Sequence, residues 1–168
     1  MLVYPESANG GRRAAPVSNP VAHLRNFTAD DFETLYRIDQ ECFPRGICYS
    51  RRTLRWFLAL HGAECIVAER EGAITGFILT QAENQQGQII TLDVLEAHRR
   101  SGIGARLLAE AERRMAARGV CTIQLETAHD NAPAIAFWQK HGYRTEAVLK
   151  NYYLGKQDAL GMRKVLPA

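Results

Sequence analysis

No apolar run in the chain approaches the ~18 residues that a bilayer-spanning helix needs, and the N-terminal residues carry no apolar signal core. The expected location is therefore the cytoplasm, with no membrane partner. Cysteine is scarce, with four in 168 residues, no CxxC pair, and no His or Cys at zinc-ligand spacing, so no metal is expected. Cys65 and Cys121 lie in apolar runs and read as small core residues. Cys42 and Cys48 flank a loop that they could bridge, although a reducing compartment favours free thiols. Excess charge is also small: 21 Lys and Arg against 18 Asp and Glu give +3 at pH 7. Arginines come in pairs, at 12–13, 51–52, 99–100 and 113–114, but form no dense basic stripe, so no nucleic acid is expected. A P-loop is excluded because no Lys-Ser or Lys-Thr occurs. A dinucleotide fingerprint is excluded because G-x-G-x-x-G spacing is absent near the first strand.

What is present suits one globular domain, with 46% hydrophobic and 23% charged residues. Residues 1–20, with Pro5, Gly10, Gly11, Pro16 and Pro20, read as a flexible leader, and 21–168 as the folded domain. A short strand is expected over Val21–Asn26, then a helix capped by Thr28 with Phe32, Leu35, Ile38 and Cys42 on its apolar face. Pro44 and Gly46 break it, and Ser50 caps a second helix holding Leu54, Phe57 and Leu58. Ala63–Glu69 and Ala73–Ala82 form an antiparallel hairpin around Glu71-Gly72, a polar loop spans Asn84–Gly87, and Gln88–Leu95 is the next strand. Ile103, Leu107, Ala111 and Met115 recur every four residues with Leu108 beside them, marking a helix from about Gly102 to Arg118 that Gly119 ends. Val120–Thr127 then follows as a strand parallel to the one before the helix. A shorter helix over Asn131–His141 and strands at Tyr143–Val148 and Leu160–Val165, joined by an aromatic loop, complete an α/β mixed sheet, mostly antiparallel with one splayed parallel pair and about four helices.

The most informative stretch is Thr91 to Ala105, where a strand ends and a glycine-bearing segment opens a helix. Gly102 and Gly104 let ligand oxygens approach the backbone. The first amides of a helix lack intrahelical partners, and with the dipole they form an anion site. Arg99 and Arg100 add positive charge at the same end. Alone, R-x-x-G-x-G fits a glycine-containing helix start equally well.

Two motifs together carry a resemblance. Arg99-Arg100-Ser101-Gly102-Ile103-Gly104 matches [QR]-x-x-G-x-[GA] after a strand, and Asn131 to Gly142-Tyr143 matches an Asn-led helix that ends in Gly-Tyr. On these residues the chain, from about Val21 to Leu166, resembles the GNAT acyltransferase superfamily. Cys42-Phe43-Pro44, Leu125-Glu126-Thr127, and Asn151-Tyr152-Tyr153 with Asp158-Ala159 and Met162 make it most similar to protein N-terminal acetyltransferases, including the bacterial ribosomal-protein alanine type.

The resemblance implies acetyl-CoA as cofactor and direct transfer to an amine, and no Cys lies within the motifs where a nucleophile would be expected, which agrees with that. It implies a pyrophosphate site at Arg99–Ala105, that is Arg99, Arg100, Ser101, Gly102, Ile103, Gly104 and Ala105. Leu92 and Val94 would pair with the pantetheine amides, and the Val94 N–H is the expected oxyanion donor. Asn131 would contact the pantetheine arm as well as cap its helix. Glu126 is the candidate general base, and Asp93, counted with the substrate-binding residues, is the alternative. Trp138 departs from the family, which carries Tyr there as the acid; indole does not titrate usefully, so Trp138 is either a cofactor contact or a core aromatic. Tyr152 and Tyr153 would line the acceptor site opposite Phe43 and Pro44, with Tyr36 and Tyr49 weaker candidates. The expected acceptor is a protein or peptide N-terminus, and the expected state a monomer or weak homodimer. The alternatives are a small amine, an amino acid or a lysine side chain as acceptor, or a non-catalytic acetyl-CoA-binding domain.

Overall fold

The computed structural model describes residues 21–167, so the leader expected at 1–20 lies outside the described residues. Seven strands form one sheet: β1 (His23–Asn26), β2 (Ala63–Arg70), β3 (Ala73–Glu83), β4 (Gln86–Val94), β5 (Thr122–Ala128), β6 (Arg144–Tyr153) and β7 (Gln157–Val165). Their spatial order is β1-β2-β3-β4-β5-β7-β6, and every neighbouring pair is antiparallel except β4 with β5. Four helices, α1 (Phe32–Cys42), α2 (Arg51–Leu58), α3 (Ile103–Ala117) and α4 (Ala132–Lys140), cover the two faces. None of them is long and apolar enough to cross a membrane.

The central strands are buried on both sides. Along β2, Cys65 and Val67 face α1 and α2, while Ile66 and Ala68 face α3. All five positions of the α3 stripe are buried, and Gly119 leaves the helix at φ +83. Ser50 caps α2 by accepting the Thr53 N–H at 3.1 Å. Thr28 opens a 3-10 turn, Ala29–Asp31, ahead of α1. The Asp31 Oδ2 accepts the Thr28 N–H at 2.8 Å and pairs with Arg25 at 2.8 Å, which ties this turn to β1.

Three expectations need correction. The polar loop before β4 is only the two-residue turn Asn84-Gln85, both at positive φ, and Gly87 belongs to the strand. There a Cβ would lie 2.6 Å from the Met115 Sδ, so α3 packs where only glycine fits. The aromatic loop is likewise strand: β6 runs on to Tyr153, and Asp158 holds its irregular end through the Asn151 N–H at 2.9 Å. Cys121 is exposed rather than in the core, because it points outward between buried Val120 and Ile123. Cys42 and Cys48, by contrast, are free thiols, the state the sequence favoured over a bridge.

Candidate active site

Two irregularities of β4 create the site. Its pairing with β5 covers only Gln86–Thr122, Gly87–Ile123 and Gln88–Gln124, after which the two strands diverge. Against β3, Thr91 pairs with Leu79 but Ile89 with Thr80, leaving Ile90 as an extra, bulged residue. The bulge inverts the alternation: Ile89, Leu92 and Val94 all pack on the α3 face, and Ile90 on the α1–α2 face. The Leu95 N–H bonds to the Thr75 carbonyl at 3.0 Å, so alternation turns the Val94 and Leu92 amides away from β3, toward the gap beside β5.

A cleft of about 390 Å³ runs through this gap and joins the two faces of the sheet. Phe43, Pro44, Ile47 and Tyr49 wall it on the α1–α2 side, with Tyr152 and Tyr153 from the end of β6, and Asn131 and Trp138 of the α4 segment line it on the other side. Glu126 stands between them on β5. Its Oε2 accepts the Gln88 Nε2 at 2.7 Å, and Gln88 in turn accepts from Gln124 at 3.1 Å. Burial raises the Glu126 carboxyl above its ordinary value, and the Gln88 bond partly opposes this. Burial also raises Tyr152 and Tyr153, the latter to about 12. Trp138 is a core aromatic packed edge-on to Phe137 and Tyr143, and its exposed edge also lines the cleft. Asn131 caps α4 by accepting the Ala134 N–H at 3.2 Å.

At the α3 end, the first intrahelical bond is from the Arg106 N–H to the Gly102 carbonyl, which leaves the amides of Ile103, Gly104 and Ala105 without helical acceptors. Arg100 at φ +58 and Gly102 at φ +83 bracket Ser101, a backbone form that turns successive amides to one side. No acidic side chain lies in the first turn of α3, and both Arg99 and Arg100 are exposed. The Arg99 Nε holds the Val94 carbonyl at 2.8 Å. The Ser101 hydroxyl is occupied with the His98 carbonyl, and the Ile103 side chain is core, so those two residues have only backbone to offer. Gly104 sits where an added Cβ would lie 3.6 Å from Phe137 and 3.8 Å from Val94, tying this end to the cleft.

Asp93 does not join this group. The bulge turns it onto the α1 side of the sheet, where it is 1% exposed and outside the cleft lining. There Thr91 bonds one oxygen and the other has no partner, and burial raises its pKa well above the ordinary range. Asp93 is therefore a buried acid rather than a substrate contact. Three residues were missed on reading the chain: Gln88, the partner of Glu126, and the pair Asp39 and Gln40 behind Tyr49. Register and tertiary contact bring them in, and no local pattern marks them. Cys42 reaches the cleft, but burial pushes its thiol up to about 11, so it is no thiolate nucleophile at neutral pH.

A splayed parallel pair, free amides at the bulged strand end and an acid-free helix N-terminus flanked by arginines fit a nucleotide-linked thioester with a diphosphate. The arrangement is that of acyl-CoA N-acyltransferases. Residues 32–143 match the Acetyltransferase (GNAT) family, and the chain belongs to it. It is 31% identical over 145 residues to an uncharacterized N-acetyltransferase, MJ1530, of Methanocaldococcus jannaschii, covering 86% of this chain and 92% of that one. To the N-alpha-acetyltransferase of Sulfurisphaera tokodaii it is 28% identical over 153 residues, covering 81% and 88%. The crystal structure of the ribosomal-protein-S18-alanine N-acetyltransferase from Escherichia coli shares the fold, with a TM-score of 0.78 at 24% identity over 88% of this chain and 95% of that one. The chain is thus an acetyltransferase that uses acetyl-CoA.

Proposed function

We propose that this acetyltransferase acts in the cytoplasm on the α-amino group of a protein or peptide N-terminus, with Glu126 as general base. The observation that carries the reading is the place of Glu126: half-buried in a cleft open to both faces of the sheet, between an aromatic acceptor wall and the α3–α4 side. The likeness to N-alpha-acetyltransferases supports the same acceptor.

Bound acetyl-CoA supplies an acetyl group activated as a thioester. The amides of Ile103, Gly104 and Ala105, with Arg99 and Arg100, hold the diphosphate at the start of α3. Leu92 and Val94 offer backbone to the pantetheine arm, and the Val94 N–H is free to donate to a developing oxyanion, a contribution of about 3 kcal/mol for such donors. Glu126 receives the amine proton. An α-amino group has a pKa of about 7.7–8.0 against about 10.4 for Lys, so a lone carboxylate held above its ordinary value suits it better. Trp138 cannot act as acid. The cleft hydroxyls of Tyr152 and Tyr153, both held protonated by burial, or a water take that role and protonate the departing CoA thiolate.

Release of CoA thiol should be measured with peptides bearing free N-termini, the same peptides blocked at the N-terminus but containing Lys, a polyamine, and free amino acids. Turnover is expected with the first group alone. Glu126→Gln should cut kcat about 100-fold or more and leave the calorimetric Kd for CoA within about twofold. Equal turnover of blocked peptides or of the polyamine would overturn the acceptor assignment, and an unimpaired Glu126→Gln would overturn the base.

A further inference from the structure

Behind the acceptor wall lies a carboxylate that the chemistry above does not use. Asp39, on the last turns of α1, is 0% exposed. Its Oδ2 accepts the Tyr49 N–H at 2.7 Å and the Gln40 Nε2 at 3.0 Å. The same Gln40 nitrogen donates to the Tyr49 carbonyl at 2.8 Å. Both backbone groups of Tyr49 are thus gripped by adjacent side chains of one helix. The Tyr49 hydroxyl donates to the carbonyl of Ile90, the bulged residue of β4, at 3.2 Å, and its ring meets Phe57 at 5.1 Å between centroids.

Tyr49 closes the segment 43–49 that supplies Phe43, Pro44, Ile47 and Tyr49 to the cleft. Within that segment the Ile47 and Cys48 amides turn back onto the Pro44 carbonyl, which shapes the loop without tying it to the sheet. The tie is at Tyr49. Asp39 is an expensive way to make it, because its Oδ1 is buried without a hydrogen-bond partner. A carboxylate kept in that state gives a charge-assisted bond to a main-chain amide, stronger than a neutral side chain would supply.

We propose that Asp39 and Gln40 are positioning residues for the acceptor: they fix Tyr49 and with it the Phe43–Tyr49 wall, so acceptor binding depends on them and cofactor binding does not. The acceptor part of this rests on the function proposed above. Burial pushes Asp39 up to about 6, while the Tyr49 and Gln40 bonds oppose the shift. The titratable groups around it are Cys42 on the same helix, Tyr49 in the loop and Asp93 on β4, with Arg99 the cation whose charge reaches Cys42 and Asp93. As pH falls through about 6, the grip on Tyr49 changes from a charged to a neutral bond.

The test uses the full chain with Gln40→Ala, an exposed position that tolerates truncation, and Asp39→Asn, which keeps the shape and removes the charge. At pH 7.5 each should raise the peptide KM about three- to tenfold, the value of one such hydrogen bond, with kcat and the KM for acetyl-CoA within twofold. Amide hydrogen exchange in segment 43–50 should quicken while that of α3 and β3 does not. The Asp39→Asn to wild-type ratio of peptide KM should shrink toward one at pH 5.5. Unchanged peptide KM in both variants overturns the proposal, as does an equal rise in both KM values or a ratio that ignores pH. Should the wild type turn over no peptide, the acceptor assignment above falls by itself. The exchange of 43–50, with the KM for whichever amine is accepted, then decides the clamp.

Discussion

Glu126 is held between two opposed influences that one substitution separates. Burial favours its neutral form, and the bond from Gln88 favours the carboxylate. Gln88→Leu preserves volume and removes the donor, leaving burial to act alone. The pKa of Glu126 then rises further, and because a base must be ionised to work, a smaller fraction of enzyme is competent at a given acid pH. A lost bond of about 1 kcal/mol corresponds to about 0.7 pH unit. The acid limb of kcat, measured with both substrates saturating, should move to higher pH by about that amount, with the plateau rate kept to within a few fold. In Glu126→Gln the limb should disappear instead. A Gln88→Leu profile that overlays the wild type would remove Gln88 from any account of the base. Trp138 makes a different point at this scale: a residue that breaks the family pattern still occupies the cleft wall, through ring packing rather than a titrating group.

The elements that could be read from the chain are those whose cause is local. The four-residue recurrence in α3, the caps at Ser50 and Asn131, and the Glu71-Gly72 turn each follow from side chains within a few residues of one another, and each is where it was expected. What could not be read depends on a partner far along the chain. The Ile90 bulge is a property of how β4 pairs with β3, and it alone moves Asp93 from cleft to interior. Gly87 reads as loop until Met115 is packed on it, and Tyr152 reads as loop until Asp158 holds the end of β6. The glycines opening α3 were legible in number but not in kind. Gly102 is required by its φ of +83, with open space around it, whereas Gly104 has ordinary conformation and neighbours at contact distance. Gly102→Ala should therefore cost about 1–2 kcal/mol of stability from backbone strain and weaken CoA several-fold by misdirecting the amides. Gly104→Glu should leave the melting temperature within a few degrees but raise the CoA Kd at least tenfold, since a carboxylate then faces the diphosphate. Calorimetric titration with CoA reads both. Wild-type affinity in the pair would mean that the α3 amides are not the anion site.

Across the whole molecule, opposed sets of carboxylates govern how stability follows pH. Asp31 and Glu110 are held down to about 2, first by their hydrogen bonds to Arg25 and to Arg113 and Arg114 respectively. Being lowered in the folded state, they stabilise it above their unfolded pKa values near 4, and that contribution is lost as pH falls toward 2. Asp39 and Asp93 act in the opposite sense, because burial raises them, Asp39 to about 6 and Asp93 well above the usual range. A raised carboxyl contributes its full stabilisation below the unfolded pKa and loses it as pH climbs through the folded value. The wild type should thus be most stable near pH 4–5 and lose stability toward pH 8, with Asp93 the larger cause because it is fully buried and has one oxygen unpaired. Asp93→Asn keeps the shape and the acceptor for Thr91 but cannot ionise. At pH 4.5, where wild-type Asp93 is already neutral, the two proteins should unfold within about 1 kcal/mol of each other in urea. At pH 8 the variant should be the more stable, by about 1–3 kcal/mol if the cost is that of one unsatisfied buried group. The sign of the change between the two pH values is the decisive reading. A variant whose stability relative to wild type is the same at both would mean that Asp93 is ionised throughout, with a partner for its second oxygen, and that the fold carries no penalty for burying an acid under its active strand.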